Sequence, residues 1–174
     1  MGQAMPHGAF RRLVDEHYAQ LYRYAYRLCG SAETAADLTQ ETFAKAHAQF
    51  SQLRDPARAK PWLFAILRNT YLQQRRQEKN HREVPLESLE QPAASDIADD
   101  PYDVNPQRLQ EALNELPEMF RTPLILFYFE ELSYRDIAEQ MNVPIGTVMS
   151  RLARAKSYLR QRLTIRPPSD ERRQ

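Results

Sequence analysis

Apolar residues recur at three- and four-residue steps through the first third of the chain. Phe10, Leu13, Val14, Tyr18, Leu21, Ala25 and Leu28 mark one face of an amphipathic helix over residues 9–29, and Gly30 closes it. Ser31 is an N-cap for a second helix with Leu38, Thr42, Phe43, Ala46 and Phe50 inward and Asp37, Gln40, Glu41 and Lys45 outward. Residues 51–60 contain Asp55-Pro56 and read as a loop. Pro61, at a first helical position, then starts a third helix with Trp62, Leu63, Ile66, Leu67 and Thr70 inward, running to about His81. Tyr18, Tyr22, Tyr24 and Tyr26 stand at helical spacing and are assigned to the core.

From residue 84 to 105 the periodicity disappears, replaced by Pro85, Pro92, Pro101 and a crowd of acids, which predicts a flexible linker. Such a segment extends to roughly 70 Å at most and relaxes to a span on the order of 25 Å, so two tethered lobes can grip one extended partner. Asn105-Pro106 supplies an N-cap and first-turn proline for a helix carrying Leu109, Leu113 and Leu116, and another helix follows Pro117. The run Leu124-Ile125-Leu126-Phe127-Tyr128-Phe129 fits a buried strand by hydropathy alone, but Pro123 before it and helical patterns on both sides favour a helical core. Ser133-Tyr134-Arg135-Asp136 has the form of a capping box with Asp in place of Glu, and Ile137, Ala138 and Met141 point inward. Asn142, Val143 and Pro144 turn the chain into a longer helix whose buried face holds Val148, Leu152, Ala155 and Leu159. A small residue at the crossing, a turn residue tolerating positive φ and an apolar corner plug make a helix-turn-helix, although a structural αα-hairpin has the same pattern. The fold class expected is all-α: domains at 1–83 and 106–166, a linker at 84–105, and a disordered tail at 167–174.

Only 4 of 174 residues are Gly, too few for phosphate-cradling loops, and hydrophobic residues make up 42%. A single cysteine, Cys29, cannot form an internal disulfide, and the four histidines show no paired ligand spacing, so no metal or other cofactor is expected. No apolar run approaches the ~20 residues of a membrane span, and the first residues lack an export signal, so a cytoplasmic protein without membrane insertion is expected. The net charge of +1 hides a separation. Residues 68–82 hold five bases against one acid, residues 83–118 ten acids against one base, and residues 140–169 six bases and no acid. Two basic stretches around an acidic one fit a polyanion touched at two places, though either stretch alone fits a solvated helix face.

On the last long helix Thr147, Met149, Ser150, Arg151 and Arg154 alternate with the buried set. Arginine bonds guanine bidentately and Ser or Thr reaches bases or phosphates, so this face suits a major groove. The segment from Tyr134 through Met149-Ser-Arg-Leu-Ala-Arg-Ala-Lys resembles the C-terminal DNA-binding domain of extracytoplasmic-function sigma factors. Asp37-Leu-Thr-Gln-Glu-Thr-Phe followed by Trp62-Leu-Phe-Ala-Ile-Leu-Arg-Asn-Thr is similar to their N-terminal core domain. Both motifs stand in the family's order, and the resemblance covers residues 9–163.

The resemblance implies an initiation factor that joins core RNA polymerase and directs it to promoter DNA, with no small-molecule substrate. It places Asp37, Gln40 and Glu41 on the polymerase clamp helices, where acidic and amide tips suit a basic partner. It assigns the loop 50–60, with Phe50 and Lys60 at its ends, and Asn69 to the minus-ten element. There unstacked bases need a pocket and a cationic rim, which Arg68, Arg75 and Arg76 supply. Thr147, Met149, Ser150, Arg151 and Arg154 fall on the minus-thirty-five site. Met149 departs from the Lys or Arg common there, Gln73 from an acid, and Asn142 from Gly. Members of the family are commonly held by an anti-sigma factor wedged between the two domains, so such a partner is expected here. A small nucleic-acid hydrolase lacks support, since no P-loop, nucleophile elbow or metal-spaced cluster is present. A helix-turn-helix repressor is the closer rival, distinguished by binding duplex DNA unaided, and a protein-interaction adaptor by having no salt-dependent DNA contact.

Overall fold

The computed structural model describes residues 7–79 and 105–164. Among them seven α-helices occur: α1 (His7–Cys29), α2 (Ala32–Ala48), α3 (Ala59–Lys79), α4 (Pro106–Glu115), α5 (Glu118–Tyr128), α6 (Tyr134–Met141) and α7 (Ile145–Thr164). The expected linker at 84–104 and the tail at 167–174 lie outside the described residues, as does the end of the third helix beyond Lys79.

Local chemistry sets the boundaries. The Gly30 N–H bonds the Tyr26 carbonyl at 2.7 Å with φ at +72°, a left-handed C-terminal closure that glycine adopts without a Cβ penalty. Ser31 Oγ accepts from Thr34 N–H at 3.3 Å, and Asn105 Oδ1 from Gln107 N–H at 2.9 Å. Asn142 takes φ of +52°. Its N–H reaches the Glu139 carbonyl at 3.3 Å while the Val143 N–H reaches Ala138 at 3.1 Å, the paired bonds of a Schellman closure. Ser133 Oγ accepts from Asp136 N–H at 3.1 Å and donates to Asp136 Oδ2 at 2.7 Å, so the return bond of this cap runs from the hydroxyl.

Two expectations are corrected. The loop at 51–60 contains two 3₁₀ turns, Phe50–Gln52 and Pro56–Arg58, the second capped by Asp55, and α3 begins at Ala59. Pro61 therefore stands third in the helix, still within the first turn where no N–H is needed. Tyr18 and Tyr26 are exposed; of the four early tyrosines only Tyr24 is fully buried. The run 124–129 is helical as the flanking patterns favoured, with Leu124, Ile125 and Leu126 buried in α5, which ends at the exposed Tyr128.

Helices α1 to α3 form one lobe and α4 to α7 the other, and the two lie against each other through contacts of α1 with α4 and α5. Leu21, Leu28, Leu38, Leu63 and Leu67 of the first lobe and Leu113, Leu124, Ile125, Leu126 and Ile137 of the second belong to one continuous buried cluster. The lobes are thus not held apart. Burying such side chains contributes about 1.5–3 kcal/mol each, which far outweighs any single surface ion pair in holding the helices together.

Candidate nucleic-acid interface

Asp37, Gln40 and Glu41 lie together on the outer face of α2, three and four residues apart. Asp37 and Gln40 are exposed and Glu41 is half-buried. Glu41 pairs with Lys45 at 2.8 Å and accepts from Gln74 Nε2 at 2.9 Å. The Lys45 hydrogen bond, opposed by partial burial and helped by Gln74, holds the Glu41 carboxyl below its ordinary range. Lys45 is itself fixed by Thr70 Oγ1 at 3.1 Å and Gln73 Oε1 at 3.3 Å. Gln73, a departure from the family's acid, thus acts as an acceptor that keeps Lys45 beside Glu41. The face offers one oriented carboxylate and two exposed polar tips, suited to a cationic helical surface.

The loop and α3 carry the second candidate set. Lys60 and Arg68 lie on the side of α3 facing the second lobe, whereas Asn69, Arg75 and Arg76 are exposed and Arg75 pairs with Glu78 at 3.8 Å. Phe50 is half-buried, edge-on to Phe10 with ring centroids 5.2 Å apart, so it packs the loop down. A cleft of about 420 Å³ opens beside the loop, lined by Arg54, Arg58, Trp62, Asp136, Glu139 and Gln140 among others. It joins an aromatic face to two guanidinium groups, the combination that holds an unstacked base and its phosphate. Its far wall belongs to α6, and acids there face the cations.

Arg58 donates to Asp136 Oδ1 at 2.6 Å and Glu139 Oε2 at 3.2 Å. Arg68 donates to Glu118 Oε1 at 3.0 Å and to the Gln140 carbonyl at 3.2 Å, while Lys60 Nζ donates to the Glu130 carbonyl at 2.6 Å. Gln140 Nε2 returns a bond to the Pro61 carbonyl at 3.0 Å. Burial works against ionisation of Asp136, yet the Ser133 hydroxyl and the Arg58 guanidinium outweigh it and hold the carboxyl below its ordinary value. The side chain of Glu130, only 4% exposed, pairs with Arg27 at 3.4 Å, and the Arg27 guanidinium lies 4.2 Å above the Phe129 ring. Burial pushes the Glu130 carboxyl up, against the attraction of Arg27 and Lys60.

On α7, Thr147, Ser150, Arg151 and Arg154 follow one stripe, with Val148, Leu152 and Ala155 buried on the other. Ser150 and Arg154 are exposed, Thr147 and Arg151 half-buried, and Ser150 Oγ donates to the Thr147 carbonyl at 3.0 Å. Met149 is 52% exposed and Ile145, one turn before it, 46%. An apolar strip therefore borders the polar one, the kind of surface that meets thymine methyl groups in a major groove. Among the described residues no helix is long and apolar enough to cross a membrane.

Sequence reasoning missed Arg58 and the acids that meet the cations, because Glu118 and Glu139 each read singly as a solvated helix residue and Asp136 as part of a helix cap. Only the acid excess at 83–118 gave a partial signal. Residues 13–81 match the family described as Sigma-70 region 2, and residues 107–159 match Sigma-70, region 4. The ECF RNA polymerase sigma factor SigE of Mycolicibacterium smegmatis is 35% identical over 92% of this chain, which spans 63% of that protein's length. The ECF RNA polymerase sigma factor SigL of Mycobacterium tuberculosis is 35% identical, with 86% of each chain covered. The sigma factor RpoE in complex with the anti-sigma factor NepR, from Bartonella quintana, superposes with a TM-score of 0.72 at 27% identity, over 91% of this chain and 99% of that one. A helix-turn-helix lobe behind a three-helix lobe, each matched by its own sigma region in the same order, leads to one assignment: the chain belongs to the ECF RNA polymerase sigma factors.

Proposed function

We propose that this chain acts in the cytoplasm as an alternative sigma factor, a regulator and not a catalyst, that joins core RNA polymerase and directs it to a set of promoters. The observation that carries this reading is the presence of both sigma regions on one short chain, each presenting a basic face and joined through an acidic stretch. The working division is a core domain at 1–83, a linker at 84–105, a promoter-reading domain at 106–166 and a tail at 167–174. Asp37, Gln40 and Glu41 contact the polymerase. Phe50, Lys60, Arg68, Asn69, Arg75 and Arg76, together with Arg58, surround the non-template strand of the minus-ten element. Thr147, Met149, Ser150, Arg151 and Arg154 enter the major groove at the minus-thirty-five element. Capture of unstacked bases draws strand separation forward without nucleotide hydrolysis, since each base held out of the stack shifts the duplex equilibrium.

The Bartonella relative was crystallised with an anti-sigma factor, and a protein inhibitor is assigned to this chain on the same ground. The test is co-elution with purified core polymerase. The wild-type chain is expected to elute with the enzyme, and Gln40→Ala or Glu41→Lys to weaken the association about tenfold, the effect of losing or reversing one interfacial charge-assisted contact. Equal retention of both variants would remove α2 from the polymerase interface.

A further inference from the structure

We propose that Ile145, Met149 and Ala153 form an apolar strip that reads the C5-methyl groups of thymines, and so impose a requirement for A·T pairs within the upstream promoter element. The inference deepens the minus-thirty-five reading of α7 and rests on it. Only one end of that helix is free to read. Toward its C-terminus Tyr158 donates to Glu115 Oε2 at 2.5 Å and Arg162 Nε to the same oxygen at 2.6 Å, which ties this half to α4. Residues 145–154 are left to present a face, and a major groove about 12 Å wide takes up about two helical turns. In a helix-turn-helix this N-terminal end of the second helix is the part that meets base edges.

The exposed residues of that end sort into two parallel stripes, each stepping by four. Gly146, Ser150 and Arg154 make a polar one, with Ile145, Met149 and Ala153 beside it. Val148, Leu152 and Ala155 already supply the buried face, so packing does not account for the apolar stripe. Its members stand about 6 Å apart along the axis, so the strip passes over about four base pairs. Ser150 narrows the choice of pair. Its hydroxyl donates to the Thr147 carbonyl at 3.0 Å and turns its lone pairs outward, where they accept from an amino group. Adenine N6 is such a donor, and only an A·T pair sets an amino donor beside a methyl on its major-groove edge. Gly146 points the same way. A Cβ there would meet nothing within 4 Å and its φ is not positive, so the fold makes no demand for glycine. The bare backbone lets the first turn of α7 settle close to a DNA strand. A protein partner is the other surface that an apolar strip fits. Against it, residues 140–169 hold six bases and no acid, a balance that favours a polyanion.

The test uses the full chain assembled with core polymerase. Run-off selection from a pool randomised through the upstream element gives the preferred duplex, which is then resynthesised with deoxyuridine for each thymidine, removing only the methyl. The wild-type holoenzyme is expected to select A·T pairs and to bind the uracil duplex about fourfold more weakly for each methyl covered. Ile145→Ala combined with Met149→Ala, both at exposed positions, is expected to bind the thymine and uracil duplexes within about twofold of each other. Met149→Leu, which keeps an apolar side chain of similar size, is expected to retain the discrimination. Equal affinity of the wild type for both duplexes, or an equal uracil penalty in the wild type and the double alanine variant, would overturn the methyl reading. Weaker co-elution of the double variant with core enzyme, with its uracil penalty unchanged, would hand the strip to the polymerase and overturn it too. Arg154→Ala judges the minus-thirty-five assignment separately: loss of upstream-element dependence beside an indifferent uracil result leaves the groove reading standing and removes only the proposal.

Discussion

Arg121 offers the sharpest probe of how the two lobes are joined. Its guanidinium donates to the Leu28 carbonyl at the end of α1, to Asn114 at 3.1 Å, and to Leu116 at 2.7 and 3.1 Å at the end of α4. One planar fork thus closes the carbonyl ends of two helices in different lobes, where the helix dipole also favours a cation. A charged hydrogen bond contributes about 1.5–3 kcal/mol when its loss strands a partner, but the carbonyls here lie partly in reach of water and share one donor group. Arg121→Met, which keeps the stem, should therefore lower stability by about 3 kcal/mol, well below the sum of four independent bonds. Arg121→Lys should recover roughly 1 kcal/mol, because a single ammonium cannot span both helix ends. Urea unfolding followed by helix signal and Trp62 emission measures both. With a slope near 2 kcal/mol per molar, the Met midpoint falls by about 1.5 M. A loss under about 1 kcal/mol, or a Lys variant equal to wild type, would show that the carbonyl clamp does not bind the lobes together.

Two further outcomes follow from groups at the seam. Tyr24→Phe should be neutral or stabilising by up to about 1 kcal/mol in thermal melts, because it removes a buried hydroxyl that has no partner among the described residues; a clear loss would reveal a partner. Burial raises the Glu130 carboxyl, so the folded chain holds that proton more tightly than the unfolded one, and the stability this gives is lost as pH rises from the ordinary carboxylate range through the raised value. Glu130→Gln should therefore gain on wild type between pH 5 and pH 8 by about 1 kcal/mol, read from melting temperatures at the two pH values; a constant difference would contradict the assignment.

The helices and their ends were legible because each depends on residues close in sequence. Ser31, Gly30, Asn105, Ser133 and Asn142 act on neighbours within five positions, and the structure places each as the local chemistry requires. The start of α3 was misplaced because Pro61 is equally acceptable anywhere in a first turn. Tyr18 and Tyr26 were misassigned since a helical stripe wider than the available core leaves its edges in solvent. The seam was beyond reach for a different reason. Arg58 and Asp136 are 78 residues apart, Arg68 and Glu118 are 50, and pairing at that range depends on lobe packing that no periodicity encodes. The candidate residues on α2 and α7 were found as faces. That Lys60 and Arg68 face another lobe while Arg75 and Arg76 face solvent is set by how the lobes pack and not by the pattern along α3.

The central claim is that this chain gives polymerase a promoter specificity it otherwise lacks. Run-off transcription with purified core enzyme and a randomised promoter library measures it directly. Transcripts should appear only when the chain is added, from templates sharing two short elements, and Arg154→Ala should reduce initiation from those that depend on the upstream one by about tenfold, a single base or phosphate contact. No chain-dependent transcript, together with unaided binding of duplex DNA, would contradict the account.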